Sequence, residues 1–245
     1  MSDARKVLLL TGASRGIGHA TVKRFSEAEW RIITCSREEV PPECKRDPNW
    51  THHITADLAD PDEVERFIAE ARPFIDGKLH ALVNNAGVSP KALTGERLGC
   101  LDTDLGDWRH VFQVNFFVPL ILARAFAEPL SAASGAIVNI GSIAGHRVHP
   151  FAGAAYATSK AALSALTREM AAEFARLRVR VNAVAPGEIE TAMLSPETVE
   201  LLPRIPVHRL GIPSDVAGTI FFLCSEDAAY VTGAEIFVTG GQHVY

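Results

Sequence analysis

Four apolar residues, Val7-Leu8-Leu9-Leu10, run directly into a glycine-rich turn, Thr11-Gly12-Ala13-Ser14-Arg15-Gly16-Ile17-Gly18, beyond which the apolar spacing becomes helical. A strand, a tight turn and a helix in that order constrain the chain more than any other stretch, because they begin a βαβ unit whose next strand lies parallel to the first. The alternation continues to the end of the sequence. Strands are predicted at Val7 to Leu10, Arg31 to Cys35, His53 to Thr55, Leu79 to Val83, Ala136 to Ile140, Arg180 to Ala185 and Glu235 to Val238. Helices are predicted at Ile17 to Ala28, Pro61 to Ala71, Leu105 to Leu130, Ala155 to Arg176 and Ser214 to Leu223, with Pro61 and Ser214 supplying helix-start chemistry.

Most of the strands are apolar on both faces, the pattern of a parallel sheet covered on both sides. The predicted fold class is therefore α/β, a doubly wound Rossmann-type parallel sheet with helices on both faces, in a single domain over residues 1–245. Pro41 to Pro48 and Ser89 to Thr103 read as surface loops, and the proline-containing stretch around 188–212 as a lid over the ligand site. A net charge of −5 gives no broad attraction to nucleic acid or anionic lipid, so neither is expected as a partner. No apolar run approaches the roughly 18 residues of a membrane helix. The four cysteines form no C-x-x-C pair and no metal-ligand spacing. A reduced, cytoplasmic protein without a metal follows from these observations.

Glycines after a first parallel strand let backbone N–H groups approach a pyrophosphate at the positive end of a helix. Here the spacing is G-x-x-x-G-x-G rather than the commoner G-x-G-x-x-G. At the end of the second strand, where an acid would hold a free ribose 2′-hydroxyl, the sequence has Ser36-Arg37. Arg15 and Arg37 suit a 2′-phosphate, which favours NADP(H), with NAD(H) as the alternative. Further along, Tyr156-Ala157-Thr158-Ser159-Lys160 places a phenol and an ammonium on one helical face. A fixed positive charge there would favour phenolate and lower the tyrosine pKa. His146 and His149 fall in a loop bordering this region and are expected to be solvent-exposed, a substrate contact being the alternative.

In order along nearly the whole chain, the glycine turn Thr11 to Gly18, Asp57-Leu58, Asn84-Asn85-Ala86-Gly87, Asn115, Ser142, Tyr156 with Lys160, Pro186-Gly187 with Thr191, and Gly240-Gly241 resemble the motifs of the short-chain dehydrogenase/reductase (SDR) family in its compact form. The resemblance implies an NAD(P)-dependent oxidoreductase that interconverts a carbonyl and an alcohol. Its catalytic residues would be Asn115, Ser142, Tyr156 and Lys160. Tyr156 would act as acid/base, Lys160 would hold the nicotinamide ribose, and Ser142 would bind the substrate oxygen. Asn115 would keep a local helix distortion and a water linking Lys160 to solvent. Cofactor contacts would come from Gly12, Ser14, Arg15, Gly16, Ile17, Gly18, Arg37, Asp57, Leu58, Asn84, Ala86, Gly87, Tyr156, Lys160, Pro186, Gly187, Ile189 and Thr191.

Pro186 to Thr191, His208 to Gly211 and Val238 to Gly241 are similar to segments of 3-oxoacyl-[acyl-carrier-protein] reductases, which makes an acyl carrier protein an alternative partner to a small carbonyl or alcohol. A non-catalytic NADP-binding sensor is the alternative of another class, and the intact Tyr156 and Lys160 argue against it. Relatives commonly form homotetramers through the long helices corresponding to Leu105 to Leu130 and Ala155 to Arg176.

Overall fold

The computed structural model describes residues 5–41, 44, 47–92, 95–194 and 196–244. Parts of the two predicted loops (residues 42, 43, 45 and 46, and 93 and 94) and residue 195 of the predicted lid lie outside them. Seven strands, β1 (Val7–Thr11), β2 (Arg31–Ser36), β3 (Trp50–Thr55), β4 (Ala81–Asn84), β5 (Ala136–Ile140), β6 (Arg180–Pro186) and β7 (Glu235–Val238), form one sheet in the order β3-β2-β1-β4-β5-β6-β7. All of its pairings are parallel. The order reverses between β1 and β4, and a crevice opens at the carboxyl ends of strands at such a switch point.

Strand side chains alternate between two cores. Leu9, Leu82 and Ile137 face one side, packed against α2 (Pro61–Ile75), α4 (Val118–Ala125), α5 (Ala127–Ala133) and α6 (Ala154–Phe174). Leu8, Leu10 and Val83 face the other, against α1 (Gly16–Ser26) and α7 (Pro213–Cys224). The fully buried rings of Phe126 on the first face and Phe25 on the second each contribute about 2–3 kcal/mol.

Two helix expectations are corrected. The single helix expected over Leu105 to Leu130 is interrupted by a π-helical turn at Gln113–Phe117 between α3 (Leu105–Phe112) and α4, and bends by 61° before α5. Pro119 has no N–H to give the Asn115 carbonyl, so the ordinary i→i−4 bond cannot form there. Ser214 does not begin α7: Pro213 is its first residue, and the Asp215 carboxylate accepts from the Ile212 N–H at 2.9 Å. At α2 the cap is Asp60, which accepts from Asp62 N–H, leaving Asp57 free of that task. No single helix among the described residues is long and apolar enough to cross a membrane.

Candidate active site

One cavity of about 540 Å³ runs along the carboxyl ends of the central strands, within the range of small-molecule sites. At one end the glycine turn joins β1 to α1. Gly16 has a positive φ of 56°, and a Cβ on Gly18 would lie 2.0 Å from the Gly12 carbonyl, so the turn closes only with glycine there. The α1 cap carries no side-chain hydrogen bond, and its first turn has no acidic residue, leaving backbone N–H groups to meet an anion. Asn85 secures the turn from β4: its Nδ2 donates to the Thr11 and Gly12 carbonyls at 3.0 and 2.8 Å.

Beside this turn, Ser36, Arg37, Asp57 and Leu58 line the cavity. Arg37 is exposed, and no ion pair holds it among the described residues. Arg15 faces Glu38 across 3.5 Å, an exposed pair of little strength. The backbone here is better fixed than the charges. Ser36 Oγ donates to the Glu38 carbonyl at 2.6 Å, and the His53 ring bonds the same carbonyl at 2.9 Å.

At the other end, α6 carries Tyr156 and Lys160 one turn apart, with the Lys160 Nζ 5.7 Å from the phenol ring centre. Lys160 is buried and donates to the Ile140 carbonyl at 2.6 Å; burial lowers its pKa to about 8. Burial also raises the pKa of Tyr156, opposed by a hydrogen bond with Ser142 and assisted by the negative charge of Glu188. The Y-x-x-x-K spacing predicts a lowering by Lys160; the shift runs the other way, and loss of hydration on burial is its largest cause. Ser142, two residues beyond β5, accepts from the Ala144 N–H and stands in the wall with Tyr156.

Behind this wall, Asn115 is fully buried in the π turn. Its Oδ1 accepts from Val88 N–H at 2.9 Å, and its Nδ2 donates to the Val88 carbonyl and Ser159 Oγ, each at 3.0 Å. The expected helix distortion is present.

Nearly all the residues expected to hold a cofactor line this one cavity: Gly12, Ser14, Arg15, Gly16, Ile17, Gly18, Arg37, Asp57, Leu58, Ala86, Gly87, Tyr156, Lys160, Pro186, Gly187, Ile189 and Thr191. Asn84 is a correction. It is buried in the sheet, donating to Asn139 at 2.8 Å, and Asn139 in turn donates to Thr167 on α6. Because side chains alternate along a strand, Asn84 braces the layers while Asn85 reaches the turn. His149 is also corrected: it is buried, and its Nε2 lies 2.6 Å from Glu188. The neighbouring Glu188 gives this loop histidine a reason to turn inward, yet nothing in the sequence spacing pairs the two. Among the described residues no group of three or more His, Cys, Asp or Glu is placed to hold a metal ion.

Comparison with known proteins agrees with this geometry. Residues 12–243 match the family described as enoyl-(acyl carrier protein) reductase. Protein FixR of Bradyrhizobium diazoefficiens is 55% identical over 242 residues, covering 98% of this chain and 87% of the relative. The 3-oxoacyl-[acyl-carrier-protein] reductase FabG of Aquifex aeolicus is 34% identical, covering 97% of each. The crystal structure of a short-chain dehydrogenase/reductase family oxidoreductase from Brucella ovis, in complex with a partially ordered NAD, is 52% identical and superposes with a TM-score of 0.81, covering 96% of this chain and 99% of that one. Across the matching structures both NAD and NADP are found bound. The chain belongs to the short-chain dehydrogenase/reductase family of oxidoreductases.

Proposed function

We propose that this chain interconverts a carbonyl and an alcohol using a nicotinamide cofactor, NADP(H) in preference to NAD(H), with Tyr156 as the acid/base. The observation that carries the reading is one continuous cavity, with a glycine-closed helix N-terminus at one end and Ser142, Tyr156 and Lys160 together at the other. The cavity fits an extended dinucleotide in its chemistry: unblocked N–H groups for a pyrophosphate, Arg37 for a 2′-phosphate, and a buried ammonium for a ribose. When bound, the nicotinamide would supply or accept the hydride.

The chain's own residues handle the proton and the substrate oxygen. Ser142 donates to the carbonyl oxygen and opposes its negative charge as that charge grows. Tyr156 delivers its proton to the same oxygen, and burial keeps the phenol protonated at neutral pH, the state that a reduction consumes. Lys160, held against the Ile140 carbonyl, orients the ribose and stabilises the phenolate left behind. Asn115 holds the backbone at Val88 and the Ser159 hydroxyl beside this pair and carries the water route that returns the proton. The segment around 188–212 acts as the lid, with Met193 and Leu194 already in the cavity wall.

The protein works in the cytoplasm as a homotetramer. The exposed faces of Ala161, Ala165 and Ala172 on α6 and of Leu105 and Phe117 support close contact between copies. An acyl carrier protein is the alternative substrate carrier. The test is NADPH- and NADH-linked turnover against small ketones, aldehydes, sugars and carrier-bound 3-oxoacyl groups. Reduction of free carbonyls supports the proposal, reduction of carrier-bound substrate alone supports the alternative, and cofactor binding without turnover of any class points to a sensor.

A further inference from the structure

Three acidic residues line the cavity among those described: Glu38 and Asp57 beside the glycine turn, and Glu188 in the wall shared with Ser142 and Tyr156. Glu188 is only 6% exposed and carries a complete set of supports on one oxygen. Its Oε1 accepts from His149 Nε2 at 2.6 Å and from Gln242 Nε2 at 3.3 Å, while Phe151 N–H donates to His149 Nδ1 at 3.2 Å. The imidazole therefore spends its one N–H on the carboxylate and its lone pair on the backbone, which is the hydrogen-bonding pattern of a neutral ring. The pair then keeps one negative charge that His149 does not cancel. The other oxygen, Oε2, takes no hydrogen bond from the described residues.

A carboxylate oxygen that a bound substrate desolvates without giving it a donor is costly, and the Glu188 charge reaches Tyr156, where it opposes formation of the phenolate that carbonyl reduction leaves behind. A donor arriving on the substrate would offset both costs. We propose that Glu188, oriented by His149 and Gln242, is a specificity-determining residue that selects substrates bearing a hydrogen-bond donor, an ammonium or a hydroxyl, near the reacting carbon. This rests on the reading of the cavity as a carbonyl-reducing site. It disfavours a plain acyl chain, which would bury the carboxylate unpaired.

The test uses cyclic ketones of matched shape: 2-, 3- and 4-hydroxycyclohexanone, 1-methyl-3- and 1-methyl-4-piperidone as ammonium forms at pH 7, and the corresponding methylcyclohexanones. Turnover and calorimetric binding to the NADPH-saturated protein are measured for wild type, Glu188→Gln and His149→Leu. The expected result is a preference of about 30-fold for at least one donor-bearing ketone over its carbon isostere, the size of one charge-assisted hydrogen bond. Glu188→Gln should reduce that ratio to about 3-fold and His149→Leu should lower it partway. Whether hydroxyl or ammonium leads identifies the donor. A ratio near one in wild type, or an equal loss for every ketone in Glu188→Gln, overturns the proposal in favour of a purely structural carboxylate. Donor-selective binding that Glu188→Gln abolishes, without turnover of any ketone, upholds this assignment and refutes the reaction instead. If Glu188→Gln does not fold, the His149→Leu ratio decides: an unchanged preference overturns the proposal.

Discussion

The two ends of the cavity are built on opposite principles. Around Tyr156 the polar groups are buried and bound: Asn115 makes three hydrogen bonds, and Lys160 is fixed on a backbone carbonyl. Around Arg37 the charged groups are exposed, and Arg15 and Glu38 meet across 3.5 Å. Chemistry requires reacting atoms held within fractions of an ångström, so that end is rigid. Recognition of a phosphate needs only charge of the right sign within reach, so the other end can be soft.

The sharpest way to break this contrast is at the rigid end. Tyr156→Phe removes one hydroxyl and its proton but little of the wall, so turnover should fall about 1,000-fold while NADPH affinity changes less than about threefold. Steady-state kinetics beside a fluorescence titration reads both, and retention of near-normal turnover would show that the proton comes from elsewhere. Asn115→Leu should act on stability as well as rate. It removes the partner of both Val88 backbone groups at a part-buried site, and urea unfolding should register a loss of about 2 kcal/mol. A loss below about 0.5 kcal/mol would mean that the π turn is held by other contacts.

Lys160 gives a pH signature. Its folded pKa of about 8 lies below the ordinary 10.5, so holding its proton costs the folded chain below pH 8, and that cost is relieved as pH rises through 8 toward 10.5. Relative to Lys160→Met, wild type should therefore gain on the order of 2–3 kcal/mol of stability between pH 7 and 10.5. Parallel unfolding profiles for the two proteins would contradict a desolvated lysine.

The same contrast explains what the sequence made legible. All seven strands and the glycine turn were readable, because periodicity and glycine spacing are local consequences of strand and turn geometry, whereas the residues from Asp57 to Lys160 were singled out by the family resemblance. Periodicity drew the helix over Leu105 to Leu130 unbroken, and the distortion at Asn115 was expected only from the family resemblance; its local signal, Pro119, acts four residues earlier, on the Asn115 carbonyl. Asn84 and Asn85 are adjacent, and only the sheet's alternation decides which one reaches the turn. His149 and Glu188 are 39 residues apart and meet only in the tertiary structure, so no spacing could pair them. The pKa of Tyr156 depends on burial, which a helical Y-x-x-x-K pattern does not contain.

The most direct test of the two-ended account is titration of the protein with NADPH and NADH, in wild type and in Arg37→Ala, followed by cofactor fluorescence. Wild type should bind NADPH about tenfold more tightly than NADH, and Arg37→Ala should erase that difference while leaving NADH affinity unchanged. Equal affinities in wild type, or loss of both cofactors in Arg37→Ala, would contradict a soft, charge-selected end separable from the rigid one.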